Sequence, residues 1–569
     1  MDDGSGWSWR VSVSLDADLA WWASKGIKRI WVRTLVKMSL GQAFEWVEQQ
    51  RGGSALVPDD EGEWVPCSPR AEAGISLSGY RRLIEVLEGR CLLREEMEPF
   101  LSYHGLPEDE ETWLYFVQQG VLEGTIRIRH GVEREKRRRG LFGVQGKIAY
   151  RCVRCGSGEE RLHRTPCPHC GTNCPYCEAC LTMGRVRFCG LLVQGLRRGR
   201  DTLNVAGASH EEVAKQWSLS PAQSDAAWQA LRFLKEGGRS GHSFLLWAVT
   251  GAGKTEMMFP LADHVLRGGG RVLIATPRKD VVLELQPRIQ AAFPMKRVVT
   301  LYGGSRERWE SGDIILATTH QLYRFREAFD LAVVDEIDAF PFHGDKQLLH
   351  AAREACARNG KFILLSATPP KQLRLLAERG RLPHAKVCVR FHRHPLPVPR
   401  RICIPPLRRF SAAAAGLPMP LKHAMRNSID RDAQLFVFVP HIESIPGLVR
   451  MISSAFPHVS VEGTSSKDSD RSVKVEHFRG KDIRIIVTTT ILERGVTVPK
   501  TDVFIIDADS PLFDDASLIQ MAGRAGRKLE DPQGHVYFCA ADWTKGQRDA
   551  VRQIRDMNAL ARKKGYLVS

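Results

Sequence analysis

Eight of the fourteen cysteines, Cys152, Cys155, Cys167, Cys170, Cys174, Cys177, Cys180 and Cys189, fall in one stretch, RCVRCGSGEERLHRTPCPHCGTNCPYCEACLTMGRVRFC (151–189). A C-x2-C pair sets two thiolates on a tight turn at the separation tetrahedral Zn²⁺ requires, and a second pair completes a site. Several pairs in so short a stretch point to metal ligation. Eight cysteines complete two all-thiolate tetrahedral sites, and seven with His163 or His169 would do the same. Spacing leaves the partition open, and with it the choice between one ion and two, the extra thiols then being unligated. No Glu stands beside a His ligand to activate water, so a structural role is expected for the metal. The stretch can present Arg151, Arg154, Arg161, Arg164, Arg185 and Arg187 to a polyanion, or serve as a docking surface.

A second group of residues can hold phosphates. The apolar run SFLLWAV leads into TGAGKTE (250–256). A buried strand, a Gly-rich turn and a helix start make a phosphate cradle. Thr250, Gly251, Ala252 and Gly253 would bring backbone N–H groups onto the phosphates, with the helix N-terminus adding its positive end. Lys254 reaches the outer phosphates, Thr255 offers its hydroxyl to Mg²⁺, and Glu256 follows on the helix. The bare pattern G-x-x-x-x-G-K-[ST] is incomplete, because Ala248 stands where Gly would.

The run LAVV ends in DEID (335–338). An acidic residue at the C-terminal end of a parallel strand enters the ligand crevice of an α/β sheet. Asp335 is placed to hold Mg²⁺ and Glu336 to orient or deprotonate an attacking water. Further on, QMAGRAGR (520–527) offers Gln520, Arg524 and Arg527. At helical spacing the two arginines would share one face, placed to stabilise charge on a transferring phosphoryl group.

These groups need a scaffold. SFLLWAV, RVLIAT, DIILATT, DLAVVD and KFILLSAT recur between Ser243 and Thr368, and QLFVFVP, VSVEGT, IRIIVTTT, VFIIDAD and HVYFCAAD between Gln434 and Asp542. Continuous apolar strands separated by helical segments signal parallel sheets covered on both faces. Two α/β domains in tandem follow, 200–390 and 411–545, joined by the Pro- and Arg-rich RFHRHPLPVPRRICIPPLRRF (390–410) and followed by a tail, 546–569. Ahead of them come the Cys-rich module, 151–190, and a mainly helical region of unknown role, 1–150. That region is rich in Trp (Trp7, Trp9, Trp21, Trp22, Trp31, Trp46, Trp64), with amphipathic helices expected near Tyr80 to Gly89 and Glu110 to Gly120. The basic runs REKRRRG (134–140) and LRRGR (196–200) read as a solvated face and a connector.

The chain carries 82 Lys and Arg against 65 Asp and Glu, a formal net charge of +17. Such an excess suits a polyanion partner, nucleic acid or anionic headgroups. No apolar run spans a bilayer. The opening MDDGSGWSWR is acidic where a secretory signal is basic. A cytosolic chain is therefore expected, and reducing conditions favour metal ligation over disulfides.

Taken in order, Ala248 to Thr255, Pro277-Arg278, DEID, SAT (366–368), TTTILERG (488–495) and QMAGRAGR resemble the motifs of superfamily 2 helicases. Ala is usual there at the position of Ala248. The resemblance implies two RecA-like domains and an ATPase. It also points to Gln223, in SPAQ (220–223), as an adenine-sensing residue. CVRCG (152–156) and YCEACLTMGR (176–185) before that core, with YGGS (302–305) and VVDEIDAFPF (333–342), resemble the late-competence protein ComFA family. By that resemblance Cys152, Cys155, Cys177 and Cys180 are the zinc ligands shared with the family, and Cys167, Cys170, Cys174 and Cys189 are additions. The resemblance implies a DNA-uptake ATPase, stimulated by single-stranded DNA. Its place would be peripheral, at the inner face of the membrane beside the DNA import channel, with ComFC as partner.

The positions matching the superfamily's strand contacts are Pro277, Arg278, Gly303, Gly304, Thr318 and Thr319 in the first half. Thr464, Ser465, Thr488 and Thr489 match in the second. Contacts of this kind go to phosphate and read no sequence. Two rivals remain. One is a PriA-like replication-restart helicase, whose cysteines lie within the helicase core. The other is a nucleotide-gated clamp or scaffold, which needs no hydrolytic set.

Overall fold

The computed structural model describes residues 11–32, 40–50, 63–66, 77–135, 149–168, 170–197, 209–236, 243–342, 344–412, 416–490 and 498–568. Trp7, Trp9, His169, most of the two basic runs and ILERG (491–495) lie outside them. Contact density divides the chain into two compact units. One comprises Met1–Asn204, Val265–Val334 and Phe340–Phe362; the other Val205–His264, Asp335–Ala339 and Ile363–Ser569.

The N-terminal region is helical with short strands between. Strands β1 (Arg29–Val32) and β2 (Glu63–Pro66) pair antiparallel. Then come β3 (Cys91–Leu93), β4 (Ile126–His130), β5 (Val132–Glu135), β6 (Ala149–Cys152), β7 (Leu162–Pro166), β8 (Asn173–Cys177) and β9 (Leu191–Gly195). The antiparallel sheet β3-β9-β4 is the floor on which helices Leu77–Leu87, Arg94–Tyr103 and Glu110–Glu123 pack. The core between them holds Leu83, Met97, Phe100, Trp113, Phe116 and Val193, with Trp309 added from the first α/β half. Each such fully buried side chain contributes about 1.5–3 kcal/mol. The two expected helices are present. Asp109 caps the second by accepting from Thr112 N–H, and Gly124 ends it with φ 73°.

The cysteine stretch is two small pairs, β5-β6 and β7-β8, between β4 and β9. It is thus inserted into the N-terminal sheet rather than appended after it.

The first α/β half contains β10 (Ser243–Ala248), β11 (Val272–Thr276), β12 (Val298–Leu301), β13 (Ile314–Thr318), β14 (Phe329–Val334), β15 (Cys356–Ser366) and β16 (His384–Val387), in sheet order β12-β13-β11-β14-β15-β10-β16. The β10–β16, β11–β13, β11–β14 and β12–β13 pairings are parallel. The second half contains β17 (Arg400–Cys403), β18 (Gln434–Phe438), β19 (Val461–Thr464), β20 (Ile485–Thr488), β21 (Thr501–Ile506) and β22 (Val536–Ala540), parallel in the order β17-β22-β21-β18-β20-β19. All ten apolar runs singled out in the sequence are strands. The three without such a run, β12, β16 and β17, are short strands at sheet edges, where one flank needs no apolar cover; the fourth edge strand, β19, is the one read from VSVEGT. β17 lies inside the Pro- and Arg-rich connector.

The final segment forms a long helix, Lys545–Lys563, started by a Thr544/Gln547 capping box. Ala550, Val551, Ile554, Met557 and Ala561 form its buried stripe, at the helical repeat.

Candidate nucleotide and nucleic-acid sites

The phosphate loop follows β10 and opens helix Lys254–Arg267. Gly251 and Gly253 sit at φ 79° and 74°, a backbone conformation that L side chains avoid. A Cβ on Gly253 would stand 2.2 Å from Gln223 Nε2. Gln223 occupies that space because its own helix, Pro221–Lys235, starts with a capping box: its Oε1 accepts from Ser220 N–H at 2.9 Å. Its Nε2 then donates to the carbonyls of Ala252 (2.9 Å) and Gly253 (3.2 Å). The glutamine singled out by resemblance is thus bonded to the loop it should serve.

Lys254 Nζ donates to Asp335 Oδ1 at 2.9 Å, and the same oxygen accepts from Glu336 N–H at 2.8 Å. Burial works against the Lys254 ammonium, but Asp335, Glu336 and Asp338 together hold its pKa above the usual lysine value. Thr250 and Thr255 are buried beside it. Lys254 can exchange its Asp335 partner for a nucleotide's phosphates, and the Asp335 carboxylate with the Thr255 hydroxyl offers the hard oxygen ligands Mg²⁺ prefers. The residues present fit Mg-ATP.

Asp338 is the junction of three motifs. It accepts from Ser366 Oγ (2.6 Å), Thr368 Oγ1 (2.6 Å) and Gln520 Nε2 (3.1 Å), and Gln520 also reaches Thr368 Oγ1 at 3.1 Å. DEID, SAT and QMAGRAGR are therefore one hydrogen-bonded network.

Arg524 and Arg527 do not share a helix face. Helix Asp515–Ala522 ends at Gly523, and 523–526 continue as turns, with Gly526 at φ 63°. The turn is held by Arg390, which in sequence is one arginine of the connector. It is fully buried. Its Nε donates to Thr250 O (3.2 Å), Nη1 to the carbonyls of Ala525 (2.7 Å) and Gly526, and Nη2 to Gly523 O (3.4 Å). Burial, with a smaller push from Arg527, lowers its pKa to about 9. A Cβ on Gly523 would lie 2.2 Å from Thr250 Oγ1. Glycine there lets the arginine-bearing turn touch the phosphate loop. Arg524 is buried and Arg527 half-buried. The only sequence signal for Arg390 is an arginine among prolines.

The candidate strand contacts gather at the C-terminal ends of parallel strands. Thr276, just before Pro277 and Arg278, is in register with Thr318, and Leu301, just before YGGS, with Ala317. Thr464 is in register with Thr488. Gly303 and Gly304 are exposed and Arg278 and Thr489 half-buried, whereas Pro277, Thr318, Thr319, Thr464, Ser465 and Thr488 are buried in this form.

The eight cysteines form two sets, Cys152/Cys155/Cys177/Cys180 and Cys167/Cys170/Cys174/Cys189, with the sulfurs of each set within 4.8 Å of one another. The sets interleave along the chain. Cys152–Cys180 and Cys155–Cys177 sulfurs are 3.8 and 3.5 Å apart; Cys167–Cys189 and Cys174–Cys189 are 3.5 and 3.6 Å apart. A zinc tetrathiolate with Zn–S near 2.3 Å has sulfur–sulfur edges of about 3.8 Å, so both sets fit the ion. Each first pair closes on a glycine: Gly156 N–H donates to Cys152 O and Gly171 N–H to Cys167 O, both at 2.9 Å, at φ 73° and 62°. Hydrogen bonds with Cys152 lower the Cys155 and Cys177 thiols and raise that of Cys180. His163 pairs with Glu178 at 3.2 Å and belongs to neither set. Arg154 is buried too, which removes it from the arginines offered to a polyanion.

Residues 78–194 match the competence protein ComFA N-terminal domain, 220–376 the DEAD/DEAH box helicase domain, and 420–528 the helicase conserved C-terminal domain. Fold and site define a DEAD/DEAH-type helicase-like protein. The competence protein ComFA of Bacillus subtilis (strain 168) is 34% identical over 489 residues, spanning 85% of this chain and 96% of that protein. The competence protein ComFA of Streptococcus pneumoniae is 34% identical over 386 residues, spanning 67% of this chain and 85% of that protein. Among solved structures, S. cerevisiae Dbp5 bound to RNA and ADP BeF3 aligns with TM-score 0.43 at 13% identity, over 61% of this chain and 93% of that one. The chain belongs to the ComFA family of competence proteins. Among the described residues no helix is long and apolar enough to cross a membrane.

Proposed function

We propose that the chain hydrolyses ATP to move along single-stranded DNA during DNA uptake, as a peripheral partner of ComFC and the import channel at the inner membrane face. The observation that carries this is the junction at Asp338. It ties the DEID segment that follows β14, with Asp335 and Glu336, to SAT and to Gln520, so that events at the phosphates reach the arginine motif.

Lys254 and the Gly251–Gly253 backbone bind the phosphates, Gln223 senses the base, and Glu336 positions the attacking water. Arg524 and Arg527 meet the charge that develops on the γ-phosphoryl group. Mg²⁺, held by Thr255 and Asp335, supplies charge neutralisation at the phosphates. Opening of the strand ends brings Pro277, Arg278, Gly303, Gly304, Thr318, Thr319, Thr464, Ser465, Thr488 and Thr489 to the DNA backbone. Zn²⁺ in each cysteine set supplies cross-links to a region too small to hold itself by core burial. The domains work as 200–390 and 411–545 with the cysteine module, 151–190, ahead of them.

The test is the ATPase rate of the purified protein with and without single-stranded DNA, with duplex DNA and RNA as controls. Stimulation by single-stranded DNA that grows with strand length is expected. Preference for forked duplex would favour the restart-helicase reading. Length-independent turnover would favour a clamp.

A further inference from the structure

Two of the most deeply buried charged groups in the N-terminal region serve neither the nucleotide nor a carboxylate pair alone. Arg90 follows Gly89, whose φ of 75° turns the chain and whose missing Cβ would otherwise stand 2.7 Å from Ala328 Cβ. Its guanidinium donates to the backbone carbonyls of Arg308 (3.3 Å) and Glu310, and lies 4.5 Å from the Phe325 ring centre. The backbone adds an Arg90–Phe325 bridge and a bond from Arg326 N–H to Gly89 O at 3.0 Å.

Arg154 stands between Cys152 and Cys155. Its Nε donates to Tyr323 O (3.0 Å), Nη1 to Met183 O (2.7 Å) and Nη2 to Glu96 Oε2 (2.7 Å). The other Glu96 oxygen accepts from Arg324 Nε at 2.8 Å. Glu96 is thus shared between the first cysteine set and the short helix Thr319–Arg324. Trp309 is buried against Phe100, 5.8 Å between ring centres, with its carbonyl 3.2 Å from His104 Nε2.

Apart from the Met183 carbonyl, which lies beside the cysteine set itself, the Glu96 carboxylate and the close approach of Gly89 to Ala328, these contacts fall on two short segments of the first α/β half, 308–310 and 323–326. The first follows YGGS closely; the second follows Thr318-Thr319. Both adjoin the positions assigned above to DNA. A buried guanidinium bonded to carbonyls fixes where a backbone runs, because breaking the contact strands both the charge and the acceptors.

We propose that the N-terminal region and its first cysteine set act as a positioning brace for the two DNA-facing segments. Arg90 sets the 303–310 loop, and Arg154 with Glu96 sets 318–325. This inference rests on the proposed DNA reading of those segments, and gives the N-terminal region a role: it tunes the response to DNA and leaves the nucleotide chemistry alone.

The test uses the full-length protein with Glu96→Gln and Arg90→Met. Expected is a roughly tenfold rise in the single-stranded DNA concentration giving half-maximal ATPase stimulation. DNA-free kcat and KM for ATP should stay within about twofold, and metal content unchanged. Amide exchange should quicken at 303–310 and 318–325 and not at 250–256 or 520–527. Folded variants with unchanged half-saturation and unchanged exchange overturn the brace. Should both variants misfold, exchange of the wild type decides: DNA must slow 91–101 and 151–157 along with the two segments, and protection confined to the segments overturns the proposal. A wild type that neither binds single-stranded DNA nor responds to it sinks the DNA reading instead, while the exchange of the variants still reports on the brace.

Discussion

Arg390 at the nucleotide site and Arg90 in the N-terminal region are the same device in two places. Both are buried, both donate to backbone carbonyls, and burial lowers both to about 9. The segments they hold differ. Arg390 holds the turn next to Arg524 and Arg527 against the phosphate loop, so it bears on the proposed ATP chemistry. Arg90 fixes a loop beyond YGGS that carries none of the residues assigned to the nucleotide, so it touches only the proposed DNA response. A buried guanidinium stabilises a backbone path, and its functional meaning is set by what that path carries.

The comparison sharpens with substitution. Lys254→Ala comes first: removing the phosphate ligand should lower turnover by about 10²–10³-fold or more, with and without DNA. The variant should keep the wild-type circular dichroism and melting profile, and retained turnover would reject the site. Arg390→Met is next. Freeing the 523–526 turn should cut kcat by about 10–100-fold, again regardless of DNA, because small misplacements of a catalytic group are costly. If Arg390→Met altered only the DNA response, the distinction between the two arginines would collapse.

The cysteine sets extend the contrast. Cys152→Ser and Cys177→Ser should each lose one zinc per chain and raise the half-stimulating DNA concentration severalfold, since Arg154 lies within that set. Cys167→Ser should lose the other zinc with a smaller effect on DNA, because none of its ligands adjoins Arg154. Metal analysis alongside DNA titration checks both, and one zinc per wild-type chain would remove the second site. Tyr103→Phe is the mildest. It deletes an exposed hydrogen bond to Glu310, so the DNA response should shift by about twofold or less.

Much of this is legible from residues alone. Nine strands announce themselves as apolar runs, because strands buried on both faces must be apolar throughout, while the edge strand β19 carries Glu462 and Gly463 within VSVEGT. TGAGKTE and DEID are recognisable because phosphate binding imposes glycine, lysine and acid at fixed steps from a strand end. The eight clustered cysteines stand out as candidate metal ligands. Edge strands β12, β16 and β17 are not legible, since an edge tolerates polar residues such as Arg400 and Arg401.

The chain by itself therefore determined the strands, the phosphate loop and the ligand inventory, all of which depend on local spacing. Only the tertiary structure decided how eight thiols divide into two interleaved sets, since any C-x2-C pair can in principle complete any other. It alone ended the helix at Gly523 and left Arg524 and Arg527 beyond it. It alone showed that Arg390, Arg90 and Arg154, unremarkable in sequence, are buried on the carbonyls of segments 100 or more residues away. Such contacts leave no periodic trace, because the partner is a backbone oxygen that every residue type carries.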